Sequence, residues 1–171
     1  MNNRLRQLLL FGTLFTFAVQ ANAQITRTVT NTNDNGAGSL RSTIAVAGNG
    51  DIIRFDPSLI AAGSDTIALS SSITITKGLR IVGLYNATDT LYISGNNAHQ
   101  IFDADLSTAN NKNLRLDSLM FINGRAYTGG AVGFSDGYTL FSNACVFSNN
   151  SCTTYKTISF YAFFETSFYL V

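Results

Sequence analysis

Residues Asn31–Leu59 read NTNDNGAGSLRSTIAVAGNGDIIRFDPSL, a polar, glycine-spaced loop followed by a short amphipathic segment, a turn and an apolar run. Ser39 stands where an N-cap belongs, its hydroxyl able to accept from a free amide of a helix expected over Leu40–Ala47. Gly36 and Gly38 permit the chain reversal before it. Leu40, Ile44 and Ala47 fall at i, i+4 and i+7 and share one face, with Arg41 and Thr43 off that stripe. Gly48 and Gly50 are expected to end the helix in the C′ manner. Ile52, Ile53 and Phe55 then supply a short strand that Pro57 stops. One narrow apolar face is too little for an independent helical domain. It suits a lid on the open end of a β-stack, where a terminal coil would otherwise expose core and unpaired backbone.

Downstream, the chain repeats itself. Asn113–Gly124 superimposes on Thr139–Asn150, with Leu114 over Leu140, Leu119 over Cys145, Phe121 over Phe147 and Asn123 over Asn149, all 26 residues apart. Asn97 lies the same distance before Asn123, and Gly78–Leu84 matches Asn113–Leu119 at an offset of 35. Short, β-branched, alternating runs predict strands at Ile25–Thr30, Ile52–Phe55, Thr66–Leu69, Ile73–Ile75, Leu79–Val82, Leu91–Ser94, Gln100–Phe102, Leu114–Leu116, Leu119–Phe121, Ala131–Phe134, Tyr138–Phe141 and Cys145–Phe147. Outside the lid no helical periodicity occurs, which excludes alternating β/α folds. A β-sandwich also accommodates such strands. The 26-residue repeat favours coils, because each turn must place like residues over like. The expected fold is therefore all-β, a right-handed parallel β-helix with an N-terminal capping helix. Leu114 should stack on Leu140 and Phe121 on Phe147, with Asn123 and Asn149 at a tight turn where their amides bond along the stack.

Two sets of residues carry a resemblance. Asn33–Arg41 followed by Gly50-Asp51-Ile52-Ile53 and Phe55–Leu59 resembles the opening of secreted bacterial right-handed parallel β-helix repeat proteins. Gly129-Gly130-Ala131-Val132 and Phe147-Ser148-Asn149-Asn150 resemble the GGA[ILV] and FxxN repeats of polymorphic outer-membrane proteins, although Phe121–Gly124 lacks Asn in its fourth place. The resemblance spans about Thr28–Ser151 and implies a surface-exposed scaffold. The group it points to is functionally mixed.

The expected organisation has four parts: a signal peptide at 1–23, an N-terminal strand and capping region at 24–59, β-helix coils at 60–154, and an aromatic tail at 155–171. Arg4 and Arg6 precede an apolar run, Leu8–Val19, and Ala21-Asn22-Ala23 is a small-x-small cleavage site. That run is shorter than a membrane span, so no stable span is expected after cleavage. Removing 1–23 leaves 148 residues with nine basic and ten acidic side chains. With no basic patch, nucleic acid is not expected as a partner. The expected address is secretion or the cell surface, outer-membrane-associated. The tail, crowded with Tyr155, Phe160, Tyr161, Phe163, Phe164, Phe168 and Tyr169, is nearly uncharged and β-prone. It is expected to be the least ordered part of the mature chain, a longer β-helix cut short or shifted out of frame; a swapped or membrane-interacting end strand is the alternative.

Chemistry is sparse. Asp103 and Asp105 are the best carboxylate pair, two apart and hence on one face of a strand, and Arg115 and Asp117 follow about one coil later. The favoured reading of these four is scattered solvated charges; as the alternative they are the catalytic candidates for a carbohydrate-active, polysaccharide-lyase-like enzyme. Asp103–Ser107 begins like a calcium loop, but Thr108 and Leu114 occupy the glycine and glutamate places of an EF-hand. No metal or cofactor is expected, and His99 reads as a turn residue. Asn86-Ala87-Thr88 and Asn149-Asn150-Ser151 match glycosylation acceptors of a eukaryotic secretory route. Export would allow Cys145 and Cys152 to pair, whereas the favoured reading makes Cys145 a small buried hydrophobe. The favoured function is an adhesive or glycan- or protein-binding scaffold without catalysis, its partner a polysaccharide or a host or cell-surface protein.

Overall fold

The computed structural model describes residues 23–109, 111–134, 139–153 and 169–170. Within them the chain winds into a parallel β-solenoid of about five turns. The first turn holds β1 (Thr26–Val29) and the helix α1 (Leu40–Val46). The second holds β2 (Ile52–Phe55), a 3-10 turn (Pro57–Ile60), β3 (Asp65–Ala68) and β4 (Ile73–Ile75). The third holds β5 (Arg80–Val82), β6 (Leu91–Ser94) and β7 (Phe102–Ala104). The fourth holds β8 (Asn113–Asp117), β9 (Met120–Ile122), β10 (Arg125–Ala126) and β11 (Val132–Phe134). The fifth holds β12 (Thr139–Asn143), β13 (Val146–Ser148) and β14 (Ser151–Cys152), and β15 (Tyr169–Leu170) follows.

Three walls result. The first runs β1-β2-β5-β8-β12, the second β3-β6-β9-β13-β15 and the third β4-β7-β11, while β10 and β14 form a short ladder at a corner. All pairings between these strands are parallel, so the sandwich alternative falls. Leu140 lies on Leu114 and Phe147 on Phe121, as the 26-residue repeat predicts, and the 35-residue offset places Arg80 on Arg115 and Ile81 on Leu116. The Phe121 and Phe147 rings stack with centroids 5.1 Å apart, and Phe102 meets Phe121 edge-on at 5.5 Å. Alternation does the rest: Ile53, Ile81 and Leu116 from the first wall, Ile67, Ile93 and Phe121 from the second, and Ile73, Ile75 and Phe102 from the third point inward and are essentially inaccessible.

Several expectations are corrected in detail. The helix ends at Ala47, whose backbone is extended and whose N–H donates to the Ile44 carbonyl, so no left-handed glycine caps it. The predicted strand Gln100–Phe102 sits two residues later, at Phe102–Ala104, because Ile101 and Phe102 are both buried at the corner and their N–H groups share the Ala131 carbonyl. Asn97, Asn123 and Asn149 do adopt left-handed φ of 56°, 54° and 55°. Their backbones bond along the stack, Asn97 N–H donating to the Asn123 carbonyl at 2.7 Å, but the side-chain bonds come from a neighbour: the Asn150 side chain donates to the Phe121 carbonyl at 2.9 Å and accepts from Gly124 N at 2.8 Å. This explains the missing Asn in Phe121–Gly124. A Cβ on Gly124 would stand 2.3 Å from the Gly130 carbonyl oxygen and 2.7 Å from Asn150 Oδ1. Both thiols are free. Cys145 is buried, accepting from Leu119 N at 3.4 Å, and burial pushes its thiol pKa up; Cys152 is exposed. The expected signal peptide, but for Ala23, and the expected aromatic tail, but for the backbone of β15, lie outside the described residues.

Candidate functional site

The residues of the opening motif are the first place to look for chemistry, and Asp34, Ser39, Leu40 and Arg41 all have structural partners. Ser39 accepts from Ser42 N at 3.2 Å and starts α1. Gly38, at φ 80°, leaves no room for a side chain, since a Cβ would lie 2.2 Å from Thr30 Oγ1. Leu40 enters the core. Arg41 Nη2 donates to Asp34 Oδ1 at 2.6 Å and to the Ser71 carbonyl at 2.7 Å, and Nη1 to the Ser72 carbonyl at 2.8 Å. Ser70 Oγ donates to the other Asp34 oxygen. The lid is thereby pinned to the turn between β3 and β4. Burial alone would raise the Asp34 carboxyl pKa, but the bonds from Ser70 and Arg41 outweigh it and hold it below the usual 3.8.

The second half of the motif behaves alike. Asp51 is buried and accepts from Ile25 N at 3.0 Å, Gly48 N at 2.7 Å and Arg27 Nε at 2.7 Å. Burial opposes its ionisation, yet these donors hold its carboxyl below 3.8. Asp56 accepts from Ser58 N and caps the 3-10 turn that Pro57 begins. The motif is a fastening. A shallow cleft of about 540 Å³ lies between β1 and α1, lined by Ile25–Thr28, Ala37, Gly38, Ser42, Thr43 and Val46. Its one charged side chain, Arg27, is engaged by Asp51.

The outer surfaces of the walls differ in character. On the third wall the outward row is Thr74, Asp103 and Gly133. On the second it is Thr66, Tyr92, Met120 and Val146, without a charge. On the first wall one outward row reads Thr26, Ile52, Arg80, Arg115, Phe141, and the exposed Arg54 lies in the next. Asp117 belongs to that next row too, paired with Val82 and Asn143, but it is only 4% exposed because two guanidinium groups lie over it. Arg80 Nε reaches Asp117 Oδ2 at 2.7 Å and Arg115 Nε reaches the same oxygen at 2.9 Å. Burial would raise the Asp117 carboxyl; the bonds from Arg115 and Arg80 outweigh it and hold it low.

The four sequence candidates therefore divide. Arg115 and Asp117 meet on the first wall, and Arg80 joins them. Asp103 faces solvent on the third wall, between Thr74 and Gly133. Asp105 does not share its strand face, since β7 ends at Ala104; its Oδ1 instead accepts from Ser107 N at 3.1 Å in a corner turn. The convergence of all four that a catalytic groove would need does not form, because β7 and β8 belong to different walls. Arg54, Arg80 and Phe141 were not among the candidates. The signal for the last two was present in the repeat itself, since the 35- and 26-residue offsets place both in register with Arg115. Asp117 is no general acid: a carboxylate between two guanidinium groups stays ionised at neutral pH. Among the described residues no group of three His, Cys, Asp or Glu side chains could hold a metal, and no helix is long and apolar enough to cross a membrane.

Comparison with known proteins found no family model, no curated protein and no solved structure that matches the chain. What fold and site define is a class, a capped parallel β-solenoid with one basic wall.

Proposed function

We propose that this chain is a secreted or cell-surface β-solenoid scaffold that binds glycans or partner proteins on its outer walls and catalyses no reaction of its own. One observation carries the reading. Asp34, Ser39, Arg41 and Asp51 of the opening motif are engaged in fastening the lid, while Ile52, Arg54, Arg80, Arg115 and Phe141 are set on one wall with their outer ends toward solvent. A rigid parallel stack presents such side chains at a fixed spacing of about 4.8 Å per coil, which is what a binding surface for an extended partner requires. Export rests on the charged start, apolar run and small-x-small site of Met1–Ala23. The resemblance to surface β-helix proteins points the same way by analogy of fold.

Two measurements test it together. N-terminal sequencing of the exported protein should find Gln24 first, and the purified chain should retain specific members of a glycan or surface-protein panel. A chain that stays inside the cell would overturn the address. A chain that releases unsaturated oligosaccharides from a polyuronate would overturn the non-catalytic role.

A further inference from the structure

From the geometry around Asp117 we infer that the first wall carries a binding site for the acid groups of an anionic polysaccharide, centred on Arg80 and Arg115, with Phe141 as its sugar-facing platform. The inference rests on the scaffold reading and gives its ligand a chemical class.

Arg80 and Arg115 are direct register partners on β5 and β8. Two like charges placed opposite each other repel, and an isolated pair would splay apart. Here a single carboxylate oxygen holds both, accepting from Arg80 Nε at 2.7 Å and from Arg115 Nε at 2.9 Å. Asp117 is almost inaccessible, while the arginine side chains are 40% and 48% exposed. The Nε edges thus face the wall, and among the described residues no protein group takes the Nη1 and Nη2 hydrogens of either arginine. These planar forks match carboxylate and sulfate oxygens and present two parallel N–H donors each. Two guanidinium charges over one carboxylate leave the cluster with one positive charge, and Arg54 adds another on the same wall.

Side-chain entropy is the usual cost of closing two arginines on a ligand. Asp117 removes much of it beforehand by holding the guanidinium groups side by side. Phe141 follows Arg115 in the same outward row and is 39% exposed. A sugar ring laid over Phe141 would bring acid groups on adjoining residues toward Arg115 and then Arg80, so a chain running across the coils meets platform and forks in succession. A polymer with repeated acid groups fits this row better than a single small anion.

The experiment uses the full chain and three polymers in affinity electrophoresis at low salt: polygalacturonate for carboxylates, dextran sulfate for sulfates, and neutral dextran. Retardation is expected by at least one acidic polymer and not by neutral dextran, weakening as salt rises; which acidic polymer wins assigns the acid group. Arg115→Gln should weaken binding about tenfold, and adding Arg80→Gln should abolish it, whereas Arg125→Gln, on β10 away from the wall, should leave it unchanged. Phe141→Ala keeps both arginines and Asp117, and should weaken binding several-fold in a chain that melts normally. Equal losses from Arg125→Gln and Arg115→Gln would show diffuse charge and overturn the site, as would undiminished binding in Arg80→Gln/Arg115→Gln. Retention of a neutral glycan or a protein with no response to either acidic polymer would overturn the anionic site and leave the scaffold standing. Cleavage of polygalacturonate with the arginine dependence intact would keep the site and remove the non-catalytic reading.

Discussion

Leu114 and Leu140 are the same residue at the same register on neighbouring coils, yet Leu114 is inaccessible and Leu140 is only partly buried. At the other end of the stack, Leu40 and Ser39 of the lid are as inaccessible as the middle of the core. The difference lies in what covers each coil. Leu114 lies between the coil of β5 on one side and Leu140 on the other, and the first coil has α1. Among the described residues nothing continues the first wall past β12, while the second wall goes on to β15. In a stack of this kind a side chain's contribution is set less by its type than by whether a further coil or a lid closes over it.

The largest test of that comparison is a pair of identical substitutions. Leu114→Ala should cost about 3 kcal/mol in urea unfolding, and Leu140→Ala about 1 kcal/mol, since the latter's site is already partly open. Equal losses would mean that the last coil is as well covered as the middle. Next comes Gly124→Asn, which restores the repeat motif on paper. It should nevertheless cost about 2 kcal/mol, because the new Cβ meets the Gly130 carbonyl and the Asn150 amide. A neutral or stabilising outcome in the same unfolding assay would show that these corners yield.

Third is the lid. Arg41→Gln should cost about 1–2 kcal/mol, read as faster amide exchange in α1 and β1 with β8 and β9 little changed. Acid should mimic it. Asp34 and Asp51 have folded pKa values below 3.8, so their contribution is fully present above the unfolded value and is lost as pH falls through the folded ones. Protection of the lid amides should therefore fall below about pH 4, and that of β8 with it, because Asp117 is held low in the same way. Smallest is Ala144, which holds φ 52° at the corner between β12 and β13, a conformation that L residues with a Cβ resist. Ala144→Gly should stabilise by about 0.5 kcal/mol, and a melting temperature that drops instead would place the strain elsewhere.

Much of this architecture was legible in the chain because a parallel stack makes its repeat visible: the 26-residue offset that aligns Phe121 with Phe147 is the hydrogen-bonded register itself. The lid was legible because an N-cap, a one-sided helix and flanking glycines are local signals. What escaped was set by the corners. Nothing local announces that β7 ends at Ala104, so the two-residue spacing suggests for Asp105 a strand face it does not share. Nothing local separates β7 from β8 into different walls, so sequence distance alone sets Asp103 beside Arg115. Arg80 and Phe141 are legible in the repeat itself, in the outward column that the 35- and 26-residue offsets align with Arg115, whereas the apolar columns of the same alignment announce only the core.

One feature of the winding bears on how such a molecule can change. Thirty-five residues separate Arg80 from Arg115, and twenty-six separate Arg115 from Phe141, yet all three stand in one column. The longer circuit is absorbed where the chain turns between walls, partly in the excursion closed by the Tyr85–Thr90 bridge. Segments grafted at that excursion would change what the molecule displays while the columns beneath keep their alignment, so its edges can diversify without renegotiating its interior.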